Sequence, residues 1–177
     1  WQDDEKRLRY VRIKSFQEST VKELRDKLGD LQKDEGILLD LRNNTGGLLE
    51  QAVAVSALFL DRGQRIGSTR GRILSQHFRS RRLFQTQAWL KAPMVILVNS
   101  GSASASEIVT AALQQNDRAL VVGEKTFGKG TIQSLTEMRV GSGLKLTIGD
   151  YLTPSEDWIN ESGVMPDVVL QPVIISD

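Results

Sequence analysis

The chain has 177 residues, of which 40% are hydrophobic and 25% are charged, and its formal net charge is +1. This composition is typical of a globular domain that can bury a core, and the balanced charge gives no indication of nucleic-acid binding. The absence of cysteine excludes disulfides, thiolate zinc sites and cysteine nucleophiles. No apolar run approaches the roughly 18 residues of a membrane-spanning helix. The polar start without methionine predicts a piece of a longer protein.

The first half of the chain alternates predicted strands and helices. Residues 8–14 alternate apolar and polar side chains, as a half-buried strand does. A helix capped by Ser19 or Thr20 follows. Residues 36–41 form a continuous apolar run, which is typical of a strand covered on both faces, and after a turn helical spacing returns at residues 48–60. This β-α-β-α order predicts a parallel sheet.

The second half repeats this order and then changes to an antiparallel pattern. The predicted elements are a strand, a helix and a strand, followed by two alternating segments around a glycine turn and a last short strand. They cover residues 93–98, 104–115, 119–122, 131–138, 144–148 and 168–170. The predicted fold class is therefore α/β, with a mixed β-sheet and packed helices, in a single domain over residues 1–177.

Residues 63–91 show a weak pattern and carry six arginines without opposing acids. We expect a solvated hairpin or loop here, with a rim that attracts acidic substrate segments or a neighbouring domain as the alternative. The arginines are Arg65, Arg70, Arg72, Arg79, Arg81 and Arg82. The only histidine, His77, lies in this segment, which disfavours a Ser-His-Asp triad. A single histidine without cysteine also disfavours a transition-metal site.

Small residues fill the stretch N-S-G-S-A-S-A-S-E at residues 99–107, between a buried strand and a helix. Small neighbours would let a substrate backbone approach Ser104, and a helix N-terminus offers unpaired N–H groups to an oxyanion. An ordinary helix N-cap packed with small residues explains the same pattern. Both interpretations remain open at this point.

A lysine lies in a glycine-rich turn at residues 123–130, G-E-K-T-F-G-K-G. The stretch nearly matches a phosphate-binding loop. However, Gly130 replaces the required Ser or Thr, and a strand pattern follows where that loop must open a helix. Nucleotide binding is therefore excluded on context. The alternatives are an exposed turn lysine and a general base, because burial lowers a lysine pKa towards neutral.

Three ordered blocks resemble the signature segments of carboxyl-terminal processing (tail-specific) serine proteases. They read D-L-R-N-N-T-G-G-L-L at residues 40–49, S-A-S-A-S-E-I at residues 102–108 and G-E-K-T-F-G-K-G-T-I-Q at residues 123–133. The resemblance extends from about Tyr10 to Leu170. Two positions differ from the family pattern. Thr45 stands where proline is commoner, and Lys125, which also replaces a residue that is often proline, is a second lysine that competes with Lys129 for the role of base.

The resemblance implies a fold similar to the Clp-protease/crotonase superfamily and a serine–lysine mechanism. It implies that Ser104 is the nucleophile, Lys129 the base and Gln133 the residue that orients the base. An oxyanion hole would combine the N–H of Ala105 with that of Gly47, in preference to Gly46. We expect Lys129 Nζ to lie about 2.6–3.2 Å from Ser104 Oγ in an active conformation and to be withdrawn from water.

The resemblance also implies cleavage of protein substrates near their C-termini, without cofactor or metal, in an extracytoplasmic compartment such as the periplasm or the plastid or thylakoid lumen. A PDZ domain and an N-terminal cap, usual in the family, would lie outside this chain. Membrane association through those regions and homo-oligomerisation stay open, and no nucleic-acid partner is expected. Two alternatives also stay open: a catalytically inactive peptide-binding scaffold or fragment, and a crotonase-like acyl-CoA enzyme.

Overall fold

A computed structural model describes residues 2–3, 7–32, 34–72, 75–81, 87–138 and 142–170. Within these residues the strands are β1 Gln2–Asp3, β2 Leu8–Arg12, β3 Gly36–Asp40, β4 Arg65–Arg70, β5 Ser75–Arg79, β6 Met94–Val98, β7 Leu120–Gly123, β8 Thr131–Met138, β9 Ser142–Leu152 and β10 Val168–Val169. The helices are α1 Thr20–Leu28, α2 Leu49–Phe59, α3 Gln87–Lys91 and α4 Ala105–Gln114. No helix of this described part is long and apolar enough to cross a membrane.

The larger sheet has the order β1-β2-β3-β6-β7-β10. All neighbours pair in parallel except β1, which runs antiparallel to β2. The continuous apolar runs predicted at residues 36–41 and 93–98 become the central strands β3 and β6. Their side chains Ile37, Leu39 and Ile96 are almost entirely removed from solvent. The predicted parallel α/β sheet is therefore confirmed.

The helices of the β-α-β units cover the sheet with their apolar sides. Helix α2 packs against α1 and α4, and Val55, Phe59 and Val109 contribute to one core with the central strands. Burying each such side chain contributes roughly 1.5–3 kcal/mol relative to leaving it exposed. Because α4 is nearly all buried, the segment at its N-terminus is held on a rigid element.

A second, antiparallel sheet has the order β5-β4-β9-β8. It contains the antiparallel pair β8–β9 predicted around the glycine turn, of which Gly141 lies outside the described residues. The arginine-rich segment was predicted as a solvated hairpin or loop, and β4 and β5 do form a hairpin. However, residues 66–69 of β4 are buried, because β9 and α4 cover them. Arg82 lies outside the described residues.

Candidate active site

Three loops leave the carboxyl ends of neighbouring parallel strands. They follow Asp40 of β3, Val98 of β6 and Gly123 of β7, and β6 lies between the other two strands. The carboxyl edge of a parallel sheet is where α/β proteins place their ligands. The order of strands therefore brings the three sequence blocks, which are far apart along the chain, to one place.

Ser104 occupies the N-cap position of α4 with φ +56° and ψ −114°. A non-glycine residue with this backbone conformation is strained, and such strain concentrates at functional sites. Ser104 is half-buried, whereas Ser102 and Ser106 have no exposed surface. The hydroxyls of these two neighbours donate to backbone carbonyls of Leu41 (2.8 Å) and Asn44 (2.9 Å). Of the three serines in the S-A-S-A-S run at residues 102–106, Ser104 is thus the one accessible to a substrate.

The glycine turn after β3 lies directly against this serine. A Cβ built on Gly46, where φ is +106°, would come within 2.8 Å of Ser104 Cβ and 3.0 Å of the backbone nitrogen of Ala105. Phe16 holds the turn from the other side: its N–H donates to the Gly46 carbonyl (3.0 Å), and its carbonyl accepts from Leu48 (2.9 Å). The close contact therefore depends on the absence of a side chain at Gly46.

Asn44 joins the glycine turn to the serine segment. Its buried carboxamide donates to the Ile13 carbonyl (2.8 Å) and accepts the Gly46 N–H (2.9 Å). Its own carbonyl accepts the N–H of Ala103 (2.9 Å). This role of Asn44 is not predictable from the sequence, because the composition of a turn does not reveal which partners a buried amide will find. Since Asn44 uses the Gly46 N–H, this donor is already occupied.

Two backbone amides matter for a candidate oxyanion hole: one follows Ser104, and the other lies in the glycine turn that packs against it. Within the described part of the chain, neither the N–H of Ala105 nor that of Gly47 has a hydrogen-bond acceptor. Ala105 is the first residue of α4, where an unpaired N–H is normal. Gly47 is skipped because the bridge to Phe16 uses the groups of its two neighbours, Gly46 and Leu48. These are the two donors that the family resemblance implies for an oxyanion hole.

Asp40 stabilises the start of the same turn. It has no exposed surface, accepts two bonds from the Arg42 guanidinium (2.9 and 2.8 Å) and accepts another from the Tyr10 hydroxyl (2.7 Å). Burial, the largest single influence, raises the carboxyl pKa, but the bonds from Arg42 and Tyr10 together outweigh it. The pKa of Asp40 is therefore lowered to about 2. The charged carboxylate is thus a structural part of the turn.

The lysine turn is anchored through its backbone. Each N–H from Thr126 to Gly130 has an acceptor: the carbonyls of Val164 and Ser102, the carboxylate of Glu107 for two residues, and the side chain of Asn160. Five consecutive bonded amides leave this main chain little freedom. The position from which the Lys129 side chain emerges is therefore well defined.

The side chains of Lys129 and Gln133 are both exposed. In this conformation Lys129 is therefore not withdrawn from water, because the described contacts of the turn hold its backbone and not its side chain. The expectation made for an active conformation stays a prediction. Among the hydrogen bonds of the described residues, none joins the Lys129 side chain to Ser104. Strand β8 begins only at Thr131, so regular strand alternation does not extend back to Lys129 and place it on one face with Gln133.

His77 and Lys125 are the other candidate bases, and His, Asp and Glu side chains are the groups that could bind a metal ion. His77 lies exposed on the edge strand β5, opposite Ser68 of β4. Lys125 is exposed and lies before the anchored turn. In residues 2–170, apart from those the structure does not describe, no three His, Asp or Glu side chains gather where they could hold a metal ion.

Comparison with known proteins gives one consistent answer. The model of peptidase family S41 matches residues 7–170. The chain is 40% identical to the carboxyl-terminal-processing protease of Synechocystis sp. over 169 residues, 94% of this chain and 39% of that protein. It is 41% identical to the carboxy-terminal processing protease CtpA of Bacillus subtilis over 160 residues, 89% of this chain and 34% of that protein.

A solved structure supports the same assignment. The photosystem II D1 C-terminal processing protease matches with a TM-score of 0.82 and 37% identity, over 92% of this chain and 42% of that chain. The chain therefore spans about two fifths or less of the length of these relatives. The family match covers nearly every described residue, including the three loops at the sheet edge. The chain belongs to peptidase family S41, which also contains the carboxyl-terminal processing proteases that it resembles.

Proposed function

We propose that this chain carries the active centre of a serine peptidase in which Ser104 is the nucleophile. The observation that carries the proposal concerns the N–H groups of Ala105 and Gly47, which have no acceptor among the described residues. They accompany a half-buried serine in a strained backbone conformation. Oxyanion donors work best when they are fixed before the reaction, and here α4 and the bridge to Phe16 fix them.

The proposed chemistry begins with attack of Ser104 Oγ on the carbonyl carbon of the scissile peptide bond. The serine proton passes to the neutral amine of Lys129, and the carbonyl oxygen becomes an oxyanion that Ala105 and Gly47 stabilise. Each such donor typically contributes about 10²–10³-fold in rate. The lysine then returns the proton to the leaving amine, which leaves an acyl-enzyme for hydrolysis by water.

Lys129 must reorient before it can act. Its backbone N–H and that of Ser104 both bond to the carboxylate of Glu107, so the two residues start close together. A lysine side chain has a flexible four-carbon stem, and rotation of that stem can bring Nζ to Ser104 without any movement of the anchored turn. A bound substrate would cover the amine, and removal from water favours its neutral form. Gln133 would then hold the amine in place.

The proposed substrates are the C-terminal segments of proteins. The solved relative is a photosystem II D1 C-terminal processing protease, and two further relatives are chloroplastic peptidases. These relatives support our proposal of an extracytoplasmic or thylakoid-lumen location for a longer protein that would contain this chain. The PDZ domain and N-terminal cap implied by the resemblance would supply substrate capture in that longer protein.

A second candidate is a peptide-binding chain that cannot cut. The observation in its favour is the exposed Lys129 side chain, which forms no described hydrogen bond to Ser104. The match to peptidase family S41 leaves no observation in favour of the acyl-CoA alternative.

The test is cleavage of an unstructured protein by the purified chain, followed by electrophoresis and mass spectrometry. Ser104→Ala should abolish cleavage, whereas Ser100→Ala should retain it, because Ser100 is exposed in the same loop and its side chain has no role in the proposed chemistry. A fluorophosphonate probe should label the unaltered chain at Ser104 only. Cleavage by Ser104→Ala would overturn the proposal, and binding without cleavage by the unaltered chain would favour the inactive scaffold.

A further inference from the structure

Glu107 is a fully buried carboxylate to which the proposed chemistry assigns no step. It lies in the first turn of α4 and has no exposed surface. Glutamate is almost never fully buried unless it is paired. Among the described residues, however, the four donors to this carboxylate are uncharged: three backbone N–H groups and one hydroxyl. The placement of a buried carboxylate among neutral donors calls for a functional explanation.

The two carboxylate oxygens divide these donors between the two catalytic loops. One oxygen, Oε2, accepts the N–H of Ser104 at 2.8 Å and that of Lys129 at 2.9 Å. The other, Oε1, accepts the Thr126 hydroxyl at 2.6 Å and the Gly128 N–H at 2.7 Å. The first bond is half of a capping box, which a helix N-terminus commonly uses. The three bonds to the lysine turn go beyond what a helix cap needs.

A shared oxygen atom ties together the backbone positions of the nucleophile and the base. Because Oε2 holds both nitrogens, their separation cannot exceed the sum of the two bond lengths. Displacement of either loop breaks or stretches a charge-assisted bond, which is stronger than a neutral one. Residues 104 and 129 lie in loops that follow different strands of the sheet, β6 and β7, and this carboxylate links them directly.

We propose that Glu107 is a positioning residue that sets the geometry of Ser104 and Lys129 for proton transfer. The proposal rests on the proposed serine–lysine function. Glu107 touches the backbone of both residues and not the reacting atoms, so it should influence the rate of acylation and not substrate binding. A misplacement of about 1 Å can lower a rate by about 100-fold.

Glu107→Gln is the sharpest test, because it keeps the shape and replaces one acceptor oxygen by an NH₂ group. In either orientation of the amide, one pair of donors then faces another donor. We expect kcat to fall about 100-fold while KM, and peptide affinity measured in the Ser104→Ala background, stay within about threefold. The matched control is Glu35→Gln. Glu35 is also a buried carboxylate with a backbone N–H donor, although it is in addition paired with the Arg9 guanidinium, and it precedes β3 at the opposite end of the sheet. This control should lose stability and keep its kcat.

A second pair of variants serves if Glu107→Gln does not fold. Thr126→Val removes the hydroxyl that donates to Glu107 at 2.6 Å and also accepts the N–H of Val164 at 2.7 Å, with almost no change of side-chain volume. We expect about a tenfold lower kcat, and Thr126→Ser, which keeps the hydroxyl and both of its bonds, should retain most of the activity. Equal kcat values for the two Thr126 variants would overturn the proposal, as would an unchanged kcat in folded Glu107→Gln. If Ser104→Ala abolishes cleavage in the same assay, either of these two results contradicts the positioning role of Glu107 and leaves the proposed function intact. Cleavage by Ser104→Ala would instead contradict the proposed function.

Discussion

Gly46→Ala should damage the candidate site for two separable reasons, and Gly63 offers the control that separates them. Both glycines have positive φ, +106° and +90°, where an L-residue costs about 1–2 kcal/mol. A Cβ at Gly63 would meet nothing within 4 Å, whereas at Gly46 it would lie 2.8 Å from Ser104 Cβ and 2.9 Å from the Ala103 carbonyl oxygen. Overpacking of this kind typically adds about 1–3 kcal/mol.

The expected loss of unfolding free energy is therefore about 2–5 kcal/mol for Gly46→Ala and about 1–2 kcal/mol for Gly63→Ala. Urea unfolding followed by circular dichroism measures both, and similar m-values would show that the unfolded states are comparable. Under conditions where each variant is folded, fluorophosphonate labelling of Ser104 should slow only in Gly46→Ala. Equal destabilisation of the two variants, or undiminished labelling of Gly46→Ala, would refute the argument that the glycine turn packs on the nucleophile.

Two further predictions concern the acid stability of the turn and the identity of the base. The pKa of Asp40 is lowered from 3.8 to about 2 in the folded chain. The charged carboxylate therefore contributes about 2–3 kcal/mol to the free energy of unfolding. This contribution is present above about pH 4 and is lost as the pH falls to 2. The free energy of unfolding should be measured at pH 6, 4, 3 and 2 for the unaltered chain and for Asp40→Asn. The difference between the two should decrease from pH 4 to pH 2, and a constant difference would contradict this prediction. In the cleavage assay Lys129→Ala should be inactive and Lys125→Ala should keep most activity, while Lys129→Arg should fail because guanidinium stays protonated. Full activity in Lys129→Ala would require another base, with His77 the one to reconsider.

Local signals were sufficient for most of the secondary structure. Apolar runs predicted β3 and β6, and helical spacing of apolar residues predicted α2. These patterns are readable in the sequence because each reflects the periodicity of a single buried element. Signals were weakest for β4, where Gly67, Ser68 and Thr69 are buried but not apolar. A strand covered through its pairing with β9 leaves little trace in its own composition.

In the candidate site, one contact of Glu107 could be predicted from the sequence and the others could not. The S-x-x-E pattern at residues 104–107 is a capping signature that could have indicated the Ser104–Glu107 bond. Nothing in the sequence could have indicated that the same carboxylate also reaches Gly128 and Lys129. That contact depends on β6 and β7 being neighbours, which is a property of the whole sheet.

Short stretches of the chain are sufficient to indicate the family, the α/β class and the three blocks that carry the candidate chemistry. The folded arrangement is needed to see that these blocks meet and that the Gly47 and Ala105 donors have no acceptor among the described residues. It is also needed to see that the Lys129 side chain is exposed while its backbone is held. The physical reason is that hydrogen-bond partners and exposure arise from segments far apart in the chain. Strand order and loop packing bring those segments together, and no local pattern encodes either.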